Sequence, residues 1–352
     1  MRNEGTVSFV IPVRNGERWL DAVLDAVLAQ DRGAAGIEVL LVEDGSDDRS
    51  AEIAAGRSDD PRIRVLPGPR RGAAAAVNLG FRQAAGRIVC QVDQDVVLDE
   101  GWLTAILPAF ADDRVAAVQG VWVADLAAPP LVRIATYDVL HRWERVPDGI
   151  TDHVCTGHTA YRASAVAEVG LLDESMGYGY DNDLSYRLGA AGYRLRLCRH
   201  ATSVHQWRRG LCSYLRQQYG LGYGRLEVVN RHPDRLRGDR VSGPGMILHV
   251  PAMLAVLAGA ASGAWAAAFG GPLEPSVVAA GLLAALAAER SVAAVRPALR
   301  HRDPSALLMV PLHLLRDVVW VGATLTWAGR RLLGTASRPE HSMRARRGAR
   351  HG

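Results

Sequence analysis

The first 120 residues alternate between short apolar runs and segments of helical spacing, and this alternation constrains the fold more than any other feature of the chain. Continuous apolar strands separated by helices are typical of a parallel sheet that is covered on both faces. The sequence therefore predicts an α/β fold with a doubly wound, mostly parallel sheet and helices on both faces. The predicted strands are 7–13, 37–42, 63–66 and 87–92, and the predicted helices between them are 17–30, 47–55 and 73–85.

Acidic residues directly follow two of the predicted strands. Strand 37–42 runs into the acidic segment 43–48, and strand 87–92 runs into Asp93-Gln94-Asp95. Ligands of such sheets bind at the carboxyl ends of the strands, so both clusters are expected at one rim. Carboxylates gathered there repel one another without a cation, and Mg²⁺ or Mn²⁺ prefers oxygen ligands and also holds substrate phosphates. The alternative for Asp93 and Asp95 is an Asx-turn before a helix at Trp102.

Composition excludes several chemistries. The 352 residues include 41 arginines and no lysine, which excludes a P-loop, a lysine Schiff base and a lysine general base. The four cysteines lie far apart without a CxxC pattern, which favours reduced thiols in a cytosolic compartment over a zinc site or a disulfide scaffold. The N-terminal segment lacks the pattern of a signal peptide, so none is expected.

Charge divides unevenly along the chain. Residues 1–243 carry 29 arginines and 32 acidic residues, whereas residues 244–352 carry 12 arginines and 5 acidic residues. The basic excess thus accompanies the long apolar segments of the second part. We therefore expect a membrane with anionic lipids as a partner, and no nucleic acid.

Five short motifs carry a resemblance to a known family. In chain order they are VSFVIPVRN at 7–15, VEDGSDD at 42–48, RGAAAAVN at 71–78, DQD at 93–95 and GYDNDLSYR at 179–187. Together they resemble the family-2 inverting glycosyltransferases of GT-A fold, over about residues 5–235. The set is specific to that superfamily but to neither a donor nor an acceptor.

The resemblance implies nucleotide-binding roles in the first half of the chain. Pro12 lies where the base and ribose sit, and Asp44 matches the aspartate that hydrogen-bonds the base, uracil in the usual case. Arg71 and Gly72 lie in the segment that lines the nucleotide. A nucleotide-diphosphate sugar, with a UDP-sugar favoured, is therefore the expected donor. Glu43 stands where the family usually has Asp, which leaves a ribose contact there open.

The resemblance also implies a metal site. Asp93 and Asp95 match the family's D-x-D motif, with Asp93 also near the nucleotide and Asp95 the more direct ligand of Mg²⁺ or Mn²⁺. His205 falls where some relatives place a further metal ligand or a phosphate contact. Its alternative role is a hydrogen bond within the core.

The general base is expected in the second half of the chain. Asp181 matches the acidic residue proposed for this role in the family, and Asp183 is the second choice because Tyr180 stands where Glu often precedes the base. A carboxylate works as a base near neutral pH when burial or neighbouring acids raise its pKa. Thr156 and His158 lie in a turn that is near the acceptor in relatives, and both are candidate acceptor contacts.

Three apolar segments follow residue 244, at 246–269, 277–295 and 306–328. The first has the roughly 20 residues that cross a bilayer. The second reaches that length only by including Glu289 and Arg290. The third holds Pro311, Arg316 and Asp317, and it either crosses, re-enters or lies in the interface. A soluble alanine-rich helical subdomain is the alternative.

Arginines around 296–302 and 344–350 place the loop and the tail in the cytoplasm by the positive-inside rule. The predicted organisation is a glycosyltransferase domain at 1–235, membrane-associated helices at 244–330 and a basic tail at 331–352. Within the domain, the nucleotide half covers about 1–125 and the acceptor half about 126–235. The expected location is the cell inner membrane with a cytoplasmic catalytic domain.

The sequence thus predicts a membrane-attached, metal-dependent inverting glycosyltransferase acting on a lipid-linked or cell-envelope glycan acceptor. The segment 211–225 lacks the Q-x-x-R-W motif of processive relatives, which favours transfer of a single sugar. The second hypothesis is a non-catalytic nucleotide-sugar-binding or scaffold protein that retains the fold, and Tyr180 is its best support.

Overall fold

The computed structural model describes residues 3–30, 36–146, 149–243 and 246–335. Two compact units divide the chain: Met1–Ala124 with Val146–Gln206, and Asp125–Arg145 with Trp207–Ser337. The basic residues 344–350, on which part of the topology prediction depends, lie outside the described residues.

The first unit is built on one sheet, and its strands in chain order are β1 (Asn3–Val13), β2 (Gly36–Glu43), β3 (Ile63–Pro67), β4 (Gly86–Val92), β5 (Val96–Leu98), β6 (Val115–Trp122), β7 (Ile150–Thr151), β8 (His158–Arg162) and β9 (Arg194–His205). The helices of the whole chain are α1 (Leu20–Leu28), α2 (Ser50–Gly56), α3 (Ala73–Gln83), α4 (Trp102–Ile106), α5 (Pro130–Trp143), α6 (Ala163–Glu168), α7 (Tyr180–Ala190), α8 (Leu211–Arg231), α9 (Met246–Phe269), α10 (Glu274–Arg300) and α11 (Met309–Leu332).

The sheet order is β3-β2-β1-β4-β8-β6-β9-β5, with β7 beside β9. Strands β1 to β4 pair in parallel, as predicted, and β6 pairs in parallel with β9. Strand β8 is antiparallel to both β4 and β6, and β5 and β7 are antiparallel to β9. The predicted α/β fold with a mostly parallel sheet and helices on both faces is confirmed, and the antiparallel strands make the sheet mixed.

Both faces of the sheet are covered, which explains why the strands read as continuous apolar runs. On β1, Phe9 and Ile11 belong to one buried cluster with Leu24 of α1, whereas Val10 belongs to the other cluster with Phe81 of α3. Successive strand residues point to opposite faces, so a strand buried on both sides needs apolar residues at every position.

The register brings the carboxyl ends of β1, β2 and β4 to one edge, which we call the rim. Val13 of β1 pairs with Glu43 of β2, and Val10 pairs with Gln91 of β4. Hydrogen bonds tie the following loops together: the Asn15 carboxamide accepts from the Asp47 N–H at 2.7 Å. The two acidic clusters predicted from sequence therefore follow neighbouring strands at the same edge.

The second unit is helical and contains α5 and α8–α11. In the described part of the chain, three helical segments have the length and apolar composition to cross a membrane: Ile247–Phe269, Glu274–Arg300 and Pro304–Leu332. Helices α9 and α10 approach closely, because a side chain at Gly259 would overlap the Pro275 carbonyl and one at Gly263 would overlap the Ser276 hydroxyl. This G-x-x-x-G spacing is a packing pattern common between membrane helices.

Candidate active site

Asp44 anchors a loop at the rim. Its side chain is 3% exposed, and its carboxylate accepts hydrogen bonds from the backbone N–H of Arg70 at 2.5 Å and of Gly72 at 3.3 Å. Both donors have positive φ, 56° and 101°, and the turn aims two N–H groups, two residues apart, at one carboxylate. Burial raises the pKa of Asp44, and these two N–H bonds oppose the rise. Sequence reasoning assigned Asp44 a base contact but missed this structural role.

The other residues predicted on the nucleotide side lie around Asp44. Pro12 lies near the end of β1, paired with Val42. The Glu43 carboxylate accepts from the N–H of Ser46 at 2.6 Å and so holds the turn that follows β2. The Arg71 guanidinium is 66% exposed and donates to the Glu174 carboxylate at 2.6 Å. Arg71 therefore lies in the 70–72 loop, and its guanidinium has a carboxylate partner within the protein.

Asp93, Asp95 and His205 form the one group in the described residues whose His, Cys, Asp and Glu side chains have metal-binding spacing. One ligand atom from each lies within 4.8 Å of the others. The pairing of Val96 with His205 brings the end of β9 next to the D-x-D segment. Two carboxylates and one imidazole suit a divalent ion such as Mn²⁺ or Mg²⁺. The structure therefore brings together the three residues predicted as ligands.

Aromatic rings pack around His205. The Trp122 ring stacks on His158 at 4.2 Å and meets His205 edge-on at 5.9 Å between ring centroids. His158 is fully buried and bonded to the Ser203 hydroxyl at 2.7 Å, and burial, together with the charge of His205, lowers its pKa to about 3. The prediction that His158 contacts the acceptor is therefore wrong, because its neutral ring belongs to the core beneath the site.

Gln94, the middle residue of the D-x-D segment, was not singled out from the sequence. Its carboxamide accepts from the Arg14 N–H at 2.7 Å and donates to the Arg14 carbonyl at 2.9 Å. The two bonds fix the turn that carries Asp93 and Asp95 to the end of β1. The available sequence signal was that the unspecified middle position of D-x-D holds glutamine, whose amide can both donate and accept hydrogen bonds.

Asp181 lies in the first turn of α7 and is half-buried. Its carboxylate accepts from the N–H of Asn182 at 2.9 Å and from the backbone of Thr156. Burial raises the pKa of Asp181, and the nearby His153 opposes that rise. A carboxyl group with a raised pKa is suited to accept a proton near neutral pH.

Asp183, two residues later, has a different environment. It is 4% exposed, and its carboxylate accepts from the Arg187 guanidinium at 2.8 Å. Arg187 also donates to the carbonyls of Val169 and Leu171. Asp183 thus joins α7 to the preceding loop, which favours Asp181 over Asp183 as the base.

Tyr180 lies close enough to both Asp93 and Asp181 to be affected by their charges. Burial and the charges of Asp93 and Asp181 raise the pKa of its phenol, which also has a hydrogen bond with Thr156. Next to Thr156, the Gly157 carbonyl accepts from the Asp93 N–H at 3.0 Å. Asp93 and Asp181 therefore flank one turn, and Tyr180 remains protonated beside both.

The sheet and its rim define the first unit as a domain of GT-A type, with an aspartate held by a backbone turn, a D-x-D group beside a histidine, and a carboxylate of raised pKa at Asp181. Residues 8–170 match the model of glycosyl transferase family 2. This part of the chain belongs to that family.

Two curated relatives and one solved structure are similar to the chain. The pre-mycofactocin glycosyltransferase of Mycobacterium tuberculosis is 30% identical over 259 residues, covering 68% of this chain and 51% of the relative. The succinoglycan biosynthesis protein ExoA of Rhizobium meliloti is 28% identical over 236 residues, covering 63% and 70%. The chain thus spans about half the length of the Mycobacterium relative.

The solved structure is the mannosyltransferase PcManGT from Pyrobaculum calidifontis, in complex with GDP-Man and Mn²⁺. Its TM-score is 0.58 with 21% identity, over 93% of this chain and 88% of that chain. At this identity the similarity shows a shared fold.

Proposed function

We propose that the chain is a membrane-attached, metal-dependent inverting glycosyltransferase. It moves a sugar from a nucleotide-diphosphate sugar to the hydroxyl of a lipid-linked or cell-envelope glycan acceptor. The observation that carries the proposal is the grouping of Asp93, Asp95 and His205 at the rim that also holds Asp44.

The donor side of the proposal follows from the rim. Asp44 keeps lone pairs beyond the two taken by the 70–72 loop, and it accepts the imide N–H of uracil. A UDP-sugar is therefore the proposed donor. Asp93, Asp95 and His205 hold Mn²⁺ or Mg²⁺, and the PcManGT structure with Mn²⁺ supports this choice. Such an ion neutralises the charge that develops on the departing diphosphate.

Asp181 is the proposed general base. The acceptor oxygen forms a bond to the anomeric carbon as the bond to the nucleoside diphosphate breaks, and the hydroxyl proton passes to the Asp181 carboxylate. Attack opposite the leaving group inverts the anomeric centre. The raised pKa of Asp181 supports this role, since a base works best when its pKa approaches the working pH.

The acceptor side follows from the apolar helices. Three helices that are long and apolar enough to cross a membrane would hold the chain where lipid-linked or envelope acceptors lie. The proposed location is the inner membrane with the catalytic domain in the cytoplasm, where nucleotide sugars are made. The relative named for succinoglycan biosynthesis supports a polysaccharide as the product class.

The test is thermal stabilisation of the purified full chain by UDP-, GDP- and dTDP-sugars, each with and without Mn²⁺. We expect the largest rise in melting temperature with a UDP-sugar plus Mn²⁺. Asp95→Asn should remove the Mn²⁺-dependent part of the shift, and Asp59→Asn, at an exposed position away from the rim, should retain it. Equal shifts with and without Mn²⁺ in the unaltered chain would refute metal-dependent donor binding.

Transfer is then measured with the stabilising donor, as release of nucleoside diphosphate in the presence of membrane lipid extract. Asp181→Asn should bind donor and Mn²⁺ normally while losing transfer. Tyr180, which replaces the usual second acid, favours a second candidate function: nucleotide-sugar binding without transfer. Mn²⁺-dependent binding by the unaltered chain, with neither transfer nor donor hydrolysis, would establish that second function.

A further inference from the structure

Helix α11 presents an apolar stripe to the outside of the second unit. The exposed residues of this stripe recur three, four or seven positions apart, which places them on one face of the helix. They are Pro311, Leu315, Val318, Leu325 and Leu332.

The opposite face of α11 carries buried ionisable groups in its first half. The His313 and Arg316 side chains each lie 3.6 Å from the Asp138 carboxylate of α5. Asp317 forms a buried ion pair with Arg290 of α10. Ionised groups at the centre of a bilayer are costly, so this charged layer belongs near the level of the lipid headgroups.

The second half of α11 packs against α8. The Trp327 indole N–H donates to the Glu227 carboxylate at 2.7 Å, and the Arg330 guanidinium lies 5.5 Å from the Tyr223 ring centre. Polar side chains recur along α8, at Arg216, Gln217, Gln218, Arg225, Glu227 and Arg231. If α11 crossed the membrane, the charged side chains of α8, which packs against it, would also lie in the hydrocarbon core.

The α9–α10 hairpin has a different character. It meets α11 about halfway along α9 and α10, where Val256, Leu286 and Val321 share a buried cluster. Beyond that cluster the two helices pack through Gly259 and Gly263 and expose Trp265, Phe269, Val277 and Val278. From Arg290 back to Glu274 the helix rises about 24 Å at ~1.5 Å per residue, close to the ~30 Å of a hydrocarbon core.

We propose that the α9–α10 hairpin crosses the membrane, whereas α11 lies in the plane of the interface and enters the lipid along its apolar stripe. Helix α8 lies on the water side of α11, and the ionic layer around Arg290 and Asp317 sits at headgroup level. Arg330 and Arg331 at the end of α11 meet anionic phosphates. This inference rests on the membrane attachment in the proposed function, and it assigns one of the three candidate spans to the surface.

Labelling of single cysteines tests which side each end occupies. The full chain, with Cys90, Cys155 and Cys198 replaced by alanine, is reconstituted in vesicles of phosphatidylethanolamine and phosphatidylglycerol. Native Cys212, exposed at the start of α8, reports one side. In two variants Cys212 is also replaced by alanine, and the reporter is Gly271→Cys in the hairpin turn or Thr335→Cys after α11. An impermeant maleimide is applied before and after permeabilisation.

We expect Thr335→Cys to label in the same fraction of vesicles as Cys212, and Gly271→Cys to label in the complementary fraction. Labelling of Thr335→Cys together with Gly271→Cys would show that α11 crosses, and it would overturn the inference. Failure of the chain to sediment with vesicles would instead refute the membrane attachment itself.

Depth measured by spin labels gives a second, independent outcome. Labels at Leu315 and Leu325 should lie at similar shallow depths, about 5–10 Å below the headgroups. A crossing helix would separate these two labels by about 15 Å along the membrane normal. A label at Val278 in the hairpin should lie deeper than both, and equal depth at all three positions would contradict the inference.

Discussion

The rim of the first unit and the buried ionic layer around α11 in the second unit hold their carboxylates by different means. At the rim, neutral groups hold them: Asp44 accepts from the N–H groups of Arg70 and Gly72, and Asp93 from the Gln91 carboxamide at 2.7 Å. In the layer around α11, arginines hold them, as in the pairs Asp138–Arg142 and Asp317–Arg290.

In the proposed function, this difference separates carboxylates that bind a ligand or accept a proton from carboxylates that stabilise the fold. A neutral N–H group fixes the position of a carboxylate and leaves most of its negative charge available to a cation or a proton. A guanidinium cancels that charge. Asp181 and Asp183 repeat the contrast within one helix, because backbone N–H groups hold the first and Arg187 holds the second.

The largest expected effect tests that contrast within α7. Asp181→Asn should lower kcat by roughly 10²–10⁴-fold, the usual contribution of a general base, without lowering thermal stability. Asp183→Asn should leave kcat within a few-fold and lower stability by about 1–3 kcal/mol, because Arg187 loses a charged partner. Steady-state transfer rates and melting temperatures of both variants check this. A large loss of kcat in Asp183→Asn with Asp181→Asn active would reverse the assignment.

The next effect concerns the buried pair of the second unit. Arg290→Met or Asp317→Leu alone should lower the free energy of unfolding by up to about 3–5 kcal/mol, because each removes one partner of a buried ion pair. The remaining charge keeps a weaker partner: Arg290 keeps the exposed Glu289, and Asp317 keeps Arg316 at 3.6 Å. The double variant should regain most of that loss, since a well-packed apolar pair replaces the ions. Unfolding of the purified chain in detergent measures all three. Additive losses in the double variant would show that the two charges do not neutralise each other.

A smaller effect is a shift in pH dependence. As the pH falls through the raised pKa of Asp181, the carboxylate gains a proton and can no longer accept one from the acceptor, so transfer is lost on the acid side. Because His153 opposes the rise in that pKa, His153→Gln should move the acid limb of kcat/KM to higher pH. His158→Gln, a buried histidine of the same unit, is the matched control. If the acid limb of kcat/KM does not move in His153→Gln, protonation of Asp181 is not the event that limits transfer at low pH.

The smallest expected effect concerns Arg71, whose carboxylate partner departs from the pattern of the rim. Its exposed pair with Glu174 is worth about 0–1 kcal/mol, so Arg71→Ala should barely change the melting temperature. If Arg71 contacts the nucleotide as predicted, the Kd for the donor should rise roughly threefold or more. Glu174→Gln, which releases Arg71 from its partner, should leave Kd unchanged or lower it. Calorimetric titration of both variants decides between nucleotide binding and a purely surface role.

Sequence patterns predicted the features that depend on the order of residues within a short segment. The apolar runs predicted β1 to β4 because strands buried on two faces need apolar residues throughout, and acids directly after strands predicted the rim. The antiparallel insertion of β8 between β4 and β6 was not predicted, since pairing between distant segments leaves no mark in either segment. The same limit hid the packing of α8 against α11, whose contacts join residues about a hundred positions apart.

In the candidate site, motif spacing in the sequence identified the site residues better than it predicted their hydrogen-bond partners and burial. The D-x-D segment and His205 were identified, but the bond from Asp44 to the 70–72 loop and the burial of His158 depend on tertiary packing. The pair Asp183–Arg187 was accessible to sequence reasoning, because residues four apart on a helix are neighbours.

The double attachment of Asp44 has a consequence for attempts to change donor preference. One carboxylate both ties down the 70–72 loop and, in the proposed function, reads the nucleobase. Replacing it to admit another base would also release the loop, so loss of activity in such a variant would not by itself report on base choice. Redesign would therefore have to begin with substitutes that keep an acceptor toward the Arg70 and Gly72 amides while altering the face that meets the base.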